Sequence, residues 1–400
     1  MLNVKTSAQA QELLARHFCR LTDCETADLS CALGRSLCEN IVSREYIPDF
    51  NRSTVDGYAL VAADTFGCSE NTPALLRQTG QVLMGQPAEL PLSRGECIYV
   101  PTGGQLPAGA DAMVMLEYAE ELGDGMIAIQ KPAAPGINLV FRGDDLSLGQ
   151  SVFTAGHILE AKDIGALAAM GYGSVPVFCR PRVAVLSTGD EIVPPETPVL
   201  SPGQMRDVNA PMLSSAVAEC GGRVSFSCIV PDMPEALGSA VEKALAVSDL
   251  VILSGGSSVG ERDAAAQVLS KMGQLLFHGL ALKPGKPTLA AEICGKPVFG
   301  LPGHPVAAYF VFRLFVRPLL FAMTGSKAAE HRVSALCGAA IPSNHGREEC
   351  VPVKLEGELA LPIFGKSGLI ATLSSADGYI RIPRDAEGLS QGDRVSVLLF

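Results

Sequence analysis

The stretch LVILSGGSSVGERDAAAQVL, residues 250–269, sets the fold class. A β-branched, apolar run (Leu250, Val251, Ile252, Leu253) breaks into glycines and serines. It then passes an acid, a base and an acid into the helix-forming tail AAAQVL. Strand, small-residue loop, helix is how an α/β fold turns backbone N–H groups toward an anion. Neither G-x-x-x-x-G-K-[ST] nor G-x-G-x-x-G is present, so neither common nucleotide loop accounts for it.

Working outward, residues 177–325 alternate. RVAVLS (182–187) reads as a strand, PMLSSAVAE (211–219) as a helix and RVSFSCIV (223–230) as a strand. PEALGSAVEKALAV then reads as a helix, DLVILS as a strand and DAAAQVLSKM as a helix. The order βαβαβα predicts a mostly parallel, doubly wound sheet with helices on both faces. Ligands of such sheets bind at the carboxyl ends of the strands. Each strand here ends in polar chemistry: STGDE after the first, VPD after the second, SGGSSVGERD after the third. ALKPGKP and GLPGHP follow.

The rest of the chain reads differently. Residues 1 to about 45 show apolar positions at helical spacing (Ala10, Leu13, Leu14, His17, Phe18, Leu21). Residues 47–137 are dense in Pro and Gly, with short segments such as CIYV and MIAI, which predicts a small β module. Residues 138–176 return to helix, notably in AKDIGALAAMGYG. The expected domains are therefore a helical linker (1–46 and 138–176), an inserted β-rich domain (47–137) and an α/β domain (177–325). A small C-terminal β-barrel follows at 326–400, from VPVKLEG, YIRIP and RVSVLLF.

Composition bounds the function. The 400 residues are 48% hydrophobic and 18% charged, an ordered globular chain of several domains. A formal net charge of −11 argues against a duplex nucleic-acid partner. No apolar run suggests a membrane span, and MLNVKTSAQAQELL has no secretory pattern, so a cytoplasmic protein with no membrane partner is expected. None of the twelve cysteines forms C-x-x-C, which predicts reduced, mostly buried thiols. A bound metal would then be a hard cation on oxygen ligands.

Asp190, Glu191, Asp232 and Asp263 each have an ordinary explanation as solvated turn or helix-capping residues. Together they fall at one edge of one sheet, where converging carboxylates suit a hydrated Mg²⁺ bridging phosphate oxygens. Lys283 and Lys286, on a Pro-stiffened turn, supply a rare pair of positive charges. Ser257 and Ser258 add hydroxyls beside Gly255 and Gly256, and the turn at Pro302 and Gly303 opens another helix N-terminus.

These motifs, in collinear order, resemble the molybdopterin molybdenumtransferase family, known as MoeA in bacteria and as the E domain of gephyrin-type proteins in eukaryotes. The likeness covers DFNRSTVDGYAL (49–60), PTGGQLPAGADAMVMLE (101–117), FRGDD (141–145), TGDE (188–191), the glycine–serine loop, KPGKP and GLPGHP. It implies insertion of molybdate into adenylylated molybdopterin, with hydrolysis of the adenylate and release of AMP and molybdenum cofactor. It implies Mg²⁺ as cofactor and molybdate as substrate. Asp56, Glu191, Asp232, Asp263, Lys283 and Lys286 are then catalytic. Thr102, Asp145, Thr188, Gly189, Asp190, Gly255, Gly256, Ser258, Pro302, Gly303, Arg347 and Ser367 bind substrate. Asp190, Glu191, Asp232 and Asp263 hold the metal. The resemblance further implies a homodimer, in which Asp56 reaches a partner's site, and exchange with an upstream adenylyltransferase and with molybdoenzyme acceptors.

The sequence departs from the family pattern at Ser257, at His304 in PGHP, at Arg206 in RDVN and at Arg52 after Asn51. Three other readings stay open here: the related adenylyltransferase, which lacks the β module and barrel; a non-catalytic binding scaffold; and a Mg²⁺-dependent phosphodiester hydrolase.

Overall fold

In the computed structural model, the described residues are 4–18, 21–255, 264–365 and 367–400. They fall into two compact units. One comprises Met1–Glu39, Ala155–Leu159 and Val175–Phe400; the other comprises Asn40–Thr154 and Glu160–Ser174.

The first unit is built on a sheet whose first three strands and three helices the sequence predicts, and to which the structure adds three more strands. Its elements are β1 (Arg182–Thr188), α1 (Asn209–Glu219), β2 (Arg223–Val230), α2 (Pro234–Val247), β3 (Leu250–Ser254), α3 (Ala264–Met272), β4 (Gln274–His278), β5 (Leu289–Ile293) and β6 (Lys296–Leu301). The spatial order is β2-β1-β3-β6-β5-β4, with β5 antiparallel to both its neighbours. Every other strand therefore runs the same way. Alternating side chains feed two cores. Val183, Val185, Leu250, Ile252 and Phe299 pack on one face with Leu213 and Val217 of α1. Ala184, Leu186, Val251, Leu253 and Val298 pack on the other with Leu237 and Val241 of α2 and Leu269 of α3. Pro234 at the first turn of α2 and Glu235 beside it give that helix a favourable start.

After β6, α4 (Pro305–Val311) continues through a π turn at Phe312–Val316 into Arg317–Ala322. This run of 18 residues is long and apolar enough to cross a bilayer, a length the sequence reading overlooked because Arg313 and Arg317 interrupt it. Here Phe310, Phe312, Phe315 and Leu320 are buried in the core beside the sheet. The C-terminal strands are β7 (Arg332–Cys337), β8 (Glu348–Glu356), β9 (Leu359–Pro362), β10 (Gly378–Ile382) and β11 (Arg394–Leu399). They pair as β8-β9-β7-β11-β10, and β10 closes back onto β8. This is the expected small barrel, filled by Val351, Val353, Ile380, Ile382 and Val397. A two-residue strand, Leu282–Lys283, adds to it in parallel through Glu348 and Glu349.

The second unit carries a six-stranded sheet. Its order is Ala112–Met115, Gly57–Leu60, Glu96–Val100, Ala74–Gln81, Met126–Ile129 and Ala119–Gly123. A Cβ on Gly57 would lie 1.9 Å from the Val114 carbonyl oxygen, so only glycine fits between these strands.

Three expectations need correction. Among the described residues of the first 45, helix is confined to Ser7–His17, capped by Thr6, and the four-residue Leu29–Ala32; Cys24–Asp28 is a strand, where Cys and Thr are weak helix formers. In 138–176 only Ala161–Ala169 is α-helical, and short strands form at Leu139–Val140, Ser151–Phe153 and Ser174–Phe178. The cysteines are not all reduced: Cys24 and Cys38 form a disulfide. Of the nine free cysteines described, Cys97, Cys337 and Cys350 are buried.

Candidate active site

The carboxyl edge of the parallel strands collects small and polar side chains. Ser187 and Ser254 are register partners at the ends of β1 and β3. Gly255 follows with φ +102°, and a Cβ there would lie 2.3 Å from the Thr188 carbonyl oxygen and 3.0 Å from Thr188 Oγ1. Asn209, at the start of α1, donates from Nδ2 to Ser254 Oγ (2.7 Å) and to the Gly303 carbonyl (2.7 Å). It thereby ties the turn after β6 to the end of β3. Ser187 Oγ, Thr188 Oγ1 and Asn209 Oδ1 are buried yet have no hydrogen-bond partner among the described residues. Leaving such atoms unpaired costs about 1–3 kcal/mol each. Three together at a ligand-binding edge point to groups that a ligand satisfies.

The carboxylates gather beside this patch. Gly189 has φ +149°, and a Cβ on it would sit 2.8 Å from both Glu191 carboxylate oxygens, so Glu191 folds back over the turn. The Asp232 N–H donates to Asp190 Oδ1 (3.1 Å), joining the ends of β1 and β2. Partial burial, and then the Asp190 and Glu191 charges, raise the Asp232 carboxyl above its ordinary value. The oxygen-only donor set fits a hard divalent cation. Among the described residues no group of three or more is placed to grip a metal alone. Such a cation would take phosphate oxygens and water as further ligands, as Mg²⁺ commonly does.

The lysine turn lies at the same edge, between β4 and β5. Lys283 makes an ion pair with Glu349 of β8 (2.7 Å), whose other oxygen accepts from Ser343 Oγ (2.8 Å). Lys286 has no ion pair among the described residues. Arg347 is exposed, immediately before the β8 residues that pair with Leu282–Lys283. Ser367 meets the edge directly: its Oγ lies 2.7 Å from His304 Nδ1, and its carbonyl accepts from the Val306 N–H (3.1 Å). Pro302 is buried and Gly303 exposed in the turn leading to His304.

The remaining candidates lie in the second unit. Asp56 Oδ1 accepts from the Thr102 N–H (2.8 Å), so the two motifs that carry them meet in one exposed loop cluster. Asp145 is exposed, and its N–H donates to the Ile47 carbonyl (3.0 Å). Arg142 nearby pairs with Asp49 (3.0 Å). Gly256, Ser257, Ser258, Arg262 and Asp263 lie outside the described residues. Arg206 points to a structural job: its guanidinium donates to the Thr197 and Pro198 carbonyls (2.6 and 3.1 Å). Sequence reasoning missed Asn209 and Ser254 as site residues. The position of Ser254 as last residue of a strand was the available signal, whereas Glu349 gave none, because its lysine is 66 positions away.

Family models match three consecutive stretches: the MoeA N-terminal region (domain I and II) over 5–171, a probable molybdopterin binding domain over 184–322, and the MoeA C-terminal region (domain IV) over 334–400. The chain belongs to the MoeA family. Among curated MoeA relatives, the molybdopterin molybdenumtransferase of Bacillus subtilis is 31% identical, covering 100% of this chain and 96% of its own. Two solved structures of the molybdopterin biosynthesis MoeA protein from Pyrococcus horikoshii superpose with TM-scores of 0.87 and 0.88, at 39% and 33% identity. Each covers 99% of this chain, and the matches cover 99% and 100% of theirs. The multi-domain α/β architecture with a C-terminal barrel is thus that of MoeA. The β module and barrel, whose absence would have favoured the adenylyltransferase reading, both fall within MoeA matches.

Proposed function

We propose that this chain is a molybdopterin molybdenumtransferase acting in molybdenum cofactor biosynthesis. It takes adenylylated molybdopterin and molybdate and releases AMP and molybdenum cofactor. The observation that carries the reading is the group of unpaired buried atoms, Ser187 Oγ, Thr188 Oγ1 and Asn209 Oδ1, at the sheet edge beside Gly255 and Gly303. In this reading the unpaired Thr188 hydroxyl, beside Gly255, donates to an anionic oxygen of the pterin nucleotide. Lys286 opposes the repulsion between molybdate and phosphate. Lys283 joins it when a ligand competes with Glu349. Ser367, oriented by His304, offers a hydroxyl to the oxyanion.

Asp190, Glu191 and Asp232 are the residues that would hold Mg²⁺, with Asp263 completing the set. When bound, the cation would withdraw charge from the phosphate and so ease adenylate cleavage. The carboxylates orient attacking water, and the ionised form of Asp232 is the one that serves. Asp56, held by the Thr102 N–H, is proposed to act on the partner subunit's site in a homodimer.

The test incubates the protein with adenylylated molybdopterin, molybdate and Mg²⁺. AMP is measured by chromatography and cofactor by activation of an apo-molybdoenzyme. Molybdate-dependent release of AMP together with activating cofactor is expected, and EDTA is expected to suppress it. AMP release no faster than in buffer overturns the reading.

A further inference from the structure

A cavity of about 770 Å³ opens at the other edge of the α/β sheet, where the strands begin. Arg182 and Arg223 are the first residues of β1 and β2 and are register partners; Lys296 is the first residue of β6, and Asp249 precedes β3. The volume is that of a small-molecule site. Because the parallel strands point away from it, this cavity is distinct from the edge carrying Thr188, Asp190 and Gly303.

The charges that line it are unbalanced. Among the described residues, Arg35, Arg180, Arg182, Arg223 and Lys296 face Asp23, Glu25 and Asp249, with His17 also on the wall: five cations against three carboxylates, an excess of two positive charges with the histidine neutral. The whole chain has a formal net charge of −11, so a local positive excess is unusual. Most of the cations are already engaged. Arg182 forms a two-pronged pair with Asp249 (2.8 and 3.1 Å). Lys296 Nζ donates to the Leu245 and Ser248 carbonyls at the end of α2 (2.6 and 2.8 Å). Arg35 holds Glu25 and the Phe178 carbonyl.

Two guanidinium groups are left. Arg180 makes one long contact, 3.4 Å to the Gly221 carbonyl, and Arg223 has no ion pair among the described residues. They sit close in the chain path, since the Arg223 N–H donates to the carbonyl of Pro181, next to Arg180 (2.8 Å). Phe18, Pro297 and Met323 give the cavity an apolar wall. Two guanidinium forks without an ion pair among the described residues, an excess of two charges and an apolar wall describe one kind of ligand. A phosphate monoester brings a dianion that guanidinium groups bind in a fork and an organic part that prefers an apolar surface.

We propose that this cavity binds a small organic phosphate monoester, its phosphate held by Arg180 and Arg223 and its organic group against Phe18 and Met323. The transferase chemistry does not use these residues, so the site stands or falls independently of it.

Cys294 is exposed on the cavity wall and serves as a reporter. The intact protein is alkylated with iodoacetamide over a phenyl phosphate series, and the modified Cys294 peptide is followed by mass spectrometry. Saturable protection by phenyl phosphate is expected, with weaker protection by inorganic phosphate and by benzoate. In the Arg180→Ala/Arg223→Ala variant the half-protecting concentration should rise about tenfold or more, for two lost charge-assisted contacts. Both arginines are exposed, so the fold should persist; Arg180→Lys/Arg223→Lys should keep part of the protection. Lys286→Ala, at the other edge, should leave it unchanged. No protection at millimolar phenyl phosphate, or equal protection in the double alanine variant, overturns the site. Equal protection by benzoate overturns the phosphate assignment.

Discussion

Asp232 holds its proton more tightly than an ordinary carboxyl, because partial burial and two neighbouring carboxylates disfavour its charge. The sign of the consequence is fixed by linkage. A raised carboxyl contributes stability below the ordinary carboxylate range and loses it as pH rises through the raised value. At neutral pH the ionised Asp232 is therefore a small liability, one that the proposed Mg²⁺ would offset. Asp232→Asn should leave the melting temperature near pH 4 about unchanged and raise it slightly at pH 7. It should also reduce the stabilisation that millimolar MgCl₂ gives at pH 7. Thermal melts across that range check this, and an undiminished Mg²⁺ effect in the variant would remove Asp232 from the cation site. Gly255 makes the complementary case for shape. Alanine there meets the Thr188 carbonyl and Oγ1 and a positive φ at once, so Gly255→Ala should weaken pterin-nucleotide binding at least tenfold and lower stability by about 1 kcal/mol or more. Fluorescence titration and urea unfolding separate the two effects. At this scale the positions of Asp190 and Asp232 were legible because each lies two residues past the end of a strand. The unpaired Ser187 and Thr188 atoms were not, since burial and partnership are properties of packing and leave no mark on residue type.

Elements decide how the lysine turn behaves. Leu282–Lys283 is tied to β8 through backbone pairing and through the Lys283–Glu349 ion pair, so the turn is anchored to the barrel and Lys283 is partly neutralised. Glu349→Gln should free Lys283 for anions and raise molybdate affinity several-fold, at a stability cost of about 1 kcal/mol for a pair whose lysine is half exposed. Equilibrium dialysis with molybdate checks it, and an unchanged affinity would leave Lys283 a structural residue. The β module offers a sharper contrast. Gly57 lies against the Val114 backbone, where a methyl has no room, whereas Gly67 has φ +82° with nothing within 4 Å of the place a Cβ would take. Gly57→Ala should therefore cost at least about 2 kcal/mol, by forcing two strands apart, and Gly67→Ala only about 1 kcal/mol of backbone strain. Similar losses in denaturant unfolding would refute the close approach at Gly57. The first three strands and helices of the α/β sheet were readable because they alternate regularly, whereas β4, β5 and β6 were not. The short strands near Cys24 and Ser151 were not, because two- to five-residue pairings are imposed by neighbours and have no period of their own.

For the molecule as a whole, the sequence showed which motifs exist but not which copy of the chain they serve. Asp56 and Thr102 are joined to each other in one compact unit, while Thr188, Asp232 and Lys286 belong to the other. Periodicity and spacing carry no information about quaternary arrangement, so the proposal that Asp56 acts on a partner's site needs a test that reads subunit exchange. Asp56→Ala and Lys286→Ala should each be nearly inactive alone, with melting temperatures close to the parent because both side chains are away from the cores. If Asp56 acts across a dimer, unfolding the two variants together and refolding them as a mixture produces mixed dimers. In each of these, one site has its own Lys286 and receives an intact Asp56, and the other site lacks both. With random pairing about half the dimers are mixed, and each has one good site in two. Activity should return to about a quarter of the parent value. If Asp56 serves the site of its own chain, no subunit in the mixture has both residues, and activity stays at the level of the single variants. Size-exclusion chromatography with light scattering on the same samples establishes that dimers formed, so a negative result refers to the direction of Asp56 and not to failed assembly.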